Sequence, residues 1–537
     1  MKGFSSLEQN IIKKGLCCKC GTCIGACPHD LLRFDSDTES IEITDPLKCT
    51  HCGLCSKVCP GKDFDWDATL KEGTYKQQVG YYQNIYTGYS QDSQIKEHAA
   101  SGGVATAIAL YLLEHQLVDG VVGIVSEKLD AKVKILRTRD EVLSALQSKY
   151  RFVPTNEILR QMQVEKGTYL YVGLPCQVQG LRRAMDTMPK LKASIYMTVG
   201  IFCGFNMSKE ATEFLIKKSK IARDDIETVE YRAKQGGVTG FKITGHNQDF
   251  FISKHGYTIL NAFYAIPRCF KCYDLTAEFA DISLGDAWEI VPASTRIISR
   301  TKETEHLLQQ MHEEGYIVLA ESDYQHMEET QKKVIGYKKR DIFTRIKLFH
   351  NLPDHLQDQK AEKINPKALL FSLFLIVGQW KITRYMLSLV PITLLEKLST
   401  SMRNGKAGKE SKEVVSYAFW GVITILFSFT SYSILLLCNM DHNLANLISI
   451  LSTKVFAYVT NKKFVFHSKC ENIRQVLVEM GTFLLARSFS GVIELIGVFV
   501  FVDVFKVSEY ISKILTIGIT TVVNYFASKK FVFNRKE

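Results

Sequence analysis

The chain has 537 residues, a net charge of +11 and 15 cysteines. That length excludes a single domain, and three or four are expected. The basic residues are spread out, many flank apolar segments late in the chain, and none form a patch interleaved with aromatics, which points to a membrane surface and away from nucleic acid.

Residues 1–16 are a polar lead with no apolar run, so no secretory signal is expected. Two C-x2-C-x2-C-x3-C-P runs follow: Cys17, Cys20, Cys23 and Cys27 before Pro28, and Cys49, Cys52, Cys55 and Cys59 before Pro60. This is the bacterial spacing for 4Fe–4S clusters, in which three close cysteines wrap one cubane and the fourth ligates the other. The expected ligand sets are Cys17, Cys20, Cys23 and Cys59 for one cluster and Cys49, Cys52, Cys55 and Cys27 for its neighbour. Cys18 is an extra thiol at a poorer spacing. A zinc site needs only four ligands in paired C-x2-C units, which eight cysteines in two matching runs fit badly. The ligands must stay thiolates, so this part belongs in a reducing cytoplasm. The segment LLRFDSDTESIEIT predicts two short strands around a polar turn. Residues 1–66 resemble a two-cluster ferredoxin module, of the α+β class.

Residues 67–97 read as a linker. Beyond it strands and helices alternate: a helix opened by Ser101-Gly102-Gly103 and ending near His115, strands over 118–127 and 131–138, a helix from Asp140, and a buried strand over 168–172. That strand runs into Gly173-Leu174-Pro175-Cys176 and a new helix, and a further strand over 193–202 ends at Cys203. Such alternation predicts an α/β domain with a largely parallel sheet. Ser101–Gly103 either frees backbone N–H groups for a pyrophosphate or is a plain helix cap. Lys149 either pairs with a phosphate or is a solvated lysine. Cys176, Cys203, Cys269 and Cys272 are a complete set of four thiolates, with two of them where strands end. They predict a third 4Fe–4S cluster. The alternatives are a redox or catalytic thiol at Cys176, on a helix N-terminus, and plain buried cysteines. Asp274, Asp281 and Asp286 are as well explained by caps and turns as by acid–base chemistry, and no catalytic residue is assigned.

Residues 346–410 read as a linker. Within it, 369–395 is too interrupted to span a bilayer, since its longest uncharged run, Leu369–Trp380, has 12 residues. Helices lying on the membrane face, or a cap on the soluble domain, are expected. The end of the chain predicts an all-α domain of four transmembrane helices: Val414–Cys438, Leu444–Asn461, Val476–Val502 and about 511–528. The basic segments RNGKAGKESK, NKKFVFHSK and SKKFVFNRK all fall on one side, so both ends of this domain are expected in the cytoplasm. AYVTNKKFVF (457–466) aligns with NYFASKKFVF (524–533) at an offset of 67 with six identities, a parallel repeat of two hairpins. Arg487 and Glu494 share one helix face, as functional charges or as helix–helix glue.

Ser101-Gly102-Gly103, Ser148-Lys149-Tyr150, Gly173-Leu174-Pro175-Cys176-Gln177, Phe202-Cys203-Gly204, Cys269-Phe270-Lys271-Cys272-Tyr273-Asp274 and Ala280-Asp281-Ile282-Ser283-Leu284-Gly285-Asp286, in that order, resemble the beta subunit of coenzyme F-420 hydrogenases and dehydrogenases over about residues 75–345. The resemblance implies a flavin (FAD) enzyme fed by iron–sulfur clusters, with the substrate left open. Residues 411–537 resemble the GtrA-like family of small four-helix membrane proteins, which implies a link to polyprenyl-phosphate-linked sugars and cell-surface polysaccharide synthesis. The combined expectation is an oxidoreductase at the inner membrane face, fed by a soluble donor such as a ferredoxin and acting on a lipid-linked glycan or sugar nucleotide. The other readings are translocation of, or scaffolding for, polyprenyl-linked sugars, and reduction of a deazaflavin.

Overall fold

The computed structural model describes residues 3–61, 72–287, 294–346, 365–396 except 394, isolated positions of 416–435, 440–500 except 467, 469 and 471, and 520–533 except 521 and 522. The chain divides into two units, Met1–Glu396 and Lys397–Glu537.

At the front of the first unit the two cysteine runs adopt the same backbone. Lys19 and His51 take φ of 58° and 54°, and Gly21 and Gly53 take 83° and 79°, each glycine capping a one-turn helix, Thr22–Gly25 or Leu54–Lys57. A left-handed lysine or histidine is disfavoured, so its recurrence at matching positions marks a built loop. Between the runs, β1 (Leu32–Asp35) and β2 (Ser40–Ile43) pair antiparallel around a polar turn.

A small hairpin, β3 (Thr74–Lys76) and β4 (Gly80–Tyr82), leads into the α/β domain. Its strands are β5 (Asn84–Ser90), β6 (Gly120–Glu127), β7 (Asp130–Leu136), β8 (Tyr169–Gly173), β9 (Ile195–Ile201), β13 (Ile282–Ala287), β14 (Ser294–Ser299) and β15 (Ile317–Ser322). They form one sheet in the order β15-β5-β14-β13-β9-β8-β6-β7. The central strands β6, β8, β9 and β13 run parallel, and the flanking pairings are antiparallel. The expectation of a largely parallel sheet therefore holds only for its centre. The outer pairs β6–β7 and β13–β14 are joined by connections too short for the crossover that a parallel pair requires. The Val104–Glu114 helix buries Ile108, Leu110 and Leu112 in the core with Leu170, Val199 and Ile282. It is apolar nearly all round because it is enclosed.

A second lobe is built on β10 (Ile226–Gln235), β11 (Val238–Gly245) and β12 (Asp249–Ser253). Helices Pro366–Gly378 and Lys381–Leu389 belong to this lobe: Leu375, Leu387 and Leu395 are buried with Phe241, Tyr257 and Phe263. The helices expected in the 346–410 linker thus pack one face on this lobe, and Phe371, Trp380 and Tyr385 stay exposed on them. Each side has an apolar surface that the other covers.

In the second unit, helices His442–Thr460 and Ile473–Phe499 are described. The expected spans over 414–438 and 511–528 lie largely outside the described residues. Among the described residues, no helix is long and apolar enough to cross a membrane. Both repeat copies end in a five-residue π-turn, Asn461–Val465 and Ser528–Val532. Each is closed by a backbone N–H of the next phenylalanine, from Phe466 to Asn461 and from Phe533 to Ser528, both at 2.9 Å. The two rings stack with centroids 4.8 Å apart. The guanidinium of Arg487 lies over the rings of Phe483 and Tyr417, 5.0 and 5.8 Å from their centroids. The side chain of Glu494 is outside the described residues.

Candidate redox site

The structure groups the cysteines of the two runs crosswise. Cys23 neighbours Cys59, Cys17 and Cys20, with Cys55 of the other set next, and Cys59 neighbours Cys20 and Cys17. Cys55 neighbours Cys52 and Cys27. The shared backbone of the runs sets Cys17 where Cys49 stands, and Cys18 has no counterpart. The backbone N–H groups of Lys19 and Gly61 point at the sulfurs of Cys17 and Cys59, each at 3.4 Å. Burial pushes the Cys17 and Cys55 thiols up to about 11. Thiolates there need a neighbouring cation, which an iron–sulfur core supplies, so the residues fit two clusters. Among the described residues no group of three or more His, Cys, Asp or Glu is placed to hold a single metal ion. Cubane ligands each bind a different iron and stand further apart than that.

The module is seated on the α/β domain by contacts that admit no extra atom. Asn156 Nδ2 donates to Thr22 Oγ1 at 2.7 Å, and Asn156 N donates to the Cys20 carbonyl at 2.9 Å. A Cβ on Gly180 would fall 2.1 Å from Thr22 Oγ1.

Directly beneath lies a further set of four cysteines. Neighbouring parallel strands end at the same edge of a sheet. Cys176, on the Pro175–Thr187 helix after β8, therefore meets Cys203, just past β9. The one-turn helix Pro267–Phe270 brings Cys269, and Cys272 follows; Cys203 neighbours both. Lys338, 1% exposed, stands against Cys272, Cys203 and Cys269. Burial alone would lower its pKa, but those thiols outweigh it and raise it. A fixed ammonium beside three of the four cysteines suits a net-negative cluster. Cys18, left over from the first run, has its thiol against both Cys20 and Cys176.

Cys203 also lines a cavity of about 870 Å³, with Ser101, Gly103, Lys149, Arg232 and Arg345. Arg232 Nε, Arg345 Nη2 and Tyr337 Oη, all on lining residues, are buried with no partner. Orphaned donors on a cavity wall fit a polar ligand there. Ser101 and Gly103 face the cavity, with Gly103 in a left-handed cap at φ 79°. Gly102 is turned the other way: its N–H donates to Thr295 Oγ1 at 3.0 Å, and a Cβ would lie 2.5 Å from the Gly88 carbonyl. Gly102 is therefore required for packing on β5 and β14. Lys149 lines the cavity but donates to the carbonyls of Ala145, Leu146 and Gln147 at 2.8, 2.6 and 3.2 Å, and burial lowers its pKa to about 8.

Of the three aspartates, Asp274 accepts from Gln179 Nε2 at 2.9 Å, and Asp281 accepts from the backbone and hydroxyl of Thr198, both at 2.8 Å. Asp286 lines the cavity and takes Arg232 Nη1 at 3.0 Å and Lys254 Nζ at 2.9 Å. Sequence reasoning missed Arg232, Lys254, Lys338 and Arg268. None of them is part of a spaced ligand motif, and what sets each apart is its tertiary neighbours.

Family models match in the same order as these parts. A 4Fe-4S dicluster domain matches residues 16–62, the N-terminal part of the coenzyme F420 hydrogenase/dehydrogenase beta subunit matches 85–160, its C-terminal part matches 167–325, and the GtrA/DPMS transmembrane domain matches 416–533. The coenzyme F420-dependent sulfite reductase of Methanocaldococcus jannaschii is 28% identical over 317 residues, covering 56% of this chain and 46% of that protein. The chain thus spans less than half of that relative. The coenzyme F420 hydrogenase subunit beta of Methanococcus voltae is 29% identical over 253 residues, 44% of this chain and 84% of that one. The uncharacterized membrane protein YwcD of Bacillus subtilis is 34% identical over 120 residues, 22% of this chain and 94% of that one.

Proposed function

Residues 85–160 and 167–325 belong to the coenzyme F420 hydrogenase/dehydrogenase beta-subunit family, behind a 4Fe-4S dicluster domain and ahead of a GtrA/DPMS domain, and from that premise we propose that the chain is a membrane-tethered iron–sulfur flavoprotein oxidoreductase. In this reading Cys17, Cys20, Cys23 and Cys59 hold one cluster, and Cys49, Cys52, Cys55 and Cys27 hold a second. Cys176, Cys203, Cys269 and Cys272 hold a third. When bound, the clusters supply one-electron transfer, and a flavin in the cavity supplies the change to two-electron chemistry. Ser101 and Gly103 offer a helix N-terminus for the FAD pyrophosphate. Arg232, whose Nε is buried with no partner on the cavity wall, favours a ligand with an acceptor there. A soluble donor such as a ferredoxin feeds the module, and an organic substrate, a lipid-linked glycan or sugar nucleotide, is reduced at the inner face of the cytoplasmic membrane. The redox domains and both termini lie on the cytoplasmic side, with four spans near the C-terminal end.

The single observation that carries this reading is Cys203, which belongs both to the third four-cysteine set and to the cavity wall. Electron transfer needs such adjacency. Relatives named for coenzyme F420 make a deazaflavin the first alternative partner for the same cavity. The test is the iron, acid-labile sulfide and flavin content of anaerobically purified, detergent-solubilised protein. About twelve irons and one FAD per chain is the expected result. About eight irons and no flavin sinks the catalytic reading.

One observation favours a second reading. The tail matches YwcD over 94% of that protein's length. A unit that stands alone elsewhere suits translocation of, or scaffolding for, polyprenyl-linked sugars, with the redox part regulatory. A substrate-transport activity that survives loss of all iron supports it.

A further inference from the structure

Arg268 stands between two of the three four-cysteine sets, that of Cys17 and that of Cys269. It is 8% exposed and precedes Cys269 in the one-turn helix Pro267–Phe270. A guanidinium carries a permanent charge and five donors. Here Nη2 donates to the Pro60 carbonyl at 3.4 Å, and Nη1 is buried with no partner. Among the described residues it has no carboxylate partner. Burial raises the pKa of Cys17 and of Cys269, and against it the Arg268 charge favours the thiolate at each, beside Lys19 at Cys17 and Lys338 at Cys269. The sets are also one thiol apart, since Cys18 touches both Cys20 and Cys176.

A buried, unpaired cation is strongly unfavourable unless negative charge lies close by. Among the described residues no carboxylate supplies it. A cubane with four thiolate ligands does, because it is net negative in both of its redox states. Lys338 answers the same need for one set only. We infer that Arg268 is the shared counter-charge of the sites at Cys17, Cys20, Cys23, Cys59 and at Cys176, Cys203, Cys269, Cys272, a positioning residue that raises the reduction potentials of both together. Net charge and hydrogen bonding to the sulfurs are among the levers that set such potentials. The inference rests on the third cluster proposed above.

The test uses the full chain in detergent: iron content, then a redox titration followed by electron paramagnetic resonance, on wild type, Arg268→Lys, Arg268→Gln and Arg268→Met. Wild type and the Lys variant are expected to hold about twelve irons and to titrate alike. The Gln and Met variants are expected to lower the midpoints of two cluster signals together. The Gln variant keeps a donor for the Pro60 carbonyl, so it isolates the charge even where Met loses iron. Loss of iron from Gln with retention in Lys also supports the role. A shift in one signal only, no shift, or equal loss of iron from Lys and Gln overturns it. About eight irons in the wild type is a different failure: it removes the third cluster itself, and the shared role with it.

Discussion

Arg232 holds Asp286 through both terminal nitrogens, Nη1 to Oδ2 at 3.0 Å and Nη2 to Oδ1 at 3.3 Å, across the cavity wall. The pair joins β10 of the second lobe to β13 of the main sheet, and Lys254 adds a third arm. Burial would raise the Asp286 pKa, but Lys254 and Arg232 outweigh it and hold the carboxyl well below its usual value. A depressed carboxyl contributes stability that is complete above the unfolded pKa of about 4 and is lost as pH falls further. Asp286→Asn is therefore expected to lower stability by about 3–5 kcal/mol at neutral pH, because it strands a buried guanidinium. Urea denaturation of wild type and variant should show the gap unchanged from pH 6 to 8 and narrowing only on strong acidification.

Cys17 and Cys18 are expected to differ. Cys17 shares the loop backbone of Cys49, and Cys18 does not. Cys17→Ser should lose about four irons per chain, whereas Cys18→Ser should keep the full complement. Colorimetric iron and sulfide analysis reads both. Equal losses would reverse the assignment of the first ligand.

Gly180 faces Thr22 Oγ1 and Asn156 Nδ2 with room for hydrogen only. Gly180→Ala should force the ferredoxin module off its seat, at a cost of about 1–3 kcal/mol. Hydrogen exchange should quicken at residues 20–26 and 153–158, with the second lobe unaffected.

Leu375 is 2% exposed in the core of the second lobe. Leu375→Ala should destabilise the first unit by about 2–5 kcal/mol in a denaturant titration. A helix merely resting on lipid would give no such change.

Reading the sequence located the cluster loops well, because cubane ligands are local: three cysteines within seven residues must wrap one corner, and spacing alone expresses that. The paired loops, the helix at Val104–Glu114 and the central strands follow from periodicity for the same reason. The pairing of the outer strands was less legible, since antiparallel and parallel neighbours carry similar apolar runs. Gly102 shows the limit at a single residue. A glycine pair at a helix start reads as an anion cradle, yet only contact with Gly88 and Thr295 reveals that one of the two serves packing.

What the sequence by itself determined is the chemistry held within short spans: two iron–sulfur runs, an alternating α/β stretch and a repeated, basic-edged apolar tail. Only the tertiary structure decided that Cys18 bridges toward Cys176, that Arg268 and Lys338 stand buried against cysteines, and that Asp286 is gripped by Arg232 and Lys254. Those facts join residues far apart in the chain. A charge announces its role through burial and neighbours, and neither is written in spacing; both appear only when the chain has folded around it.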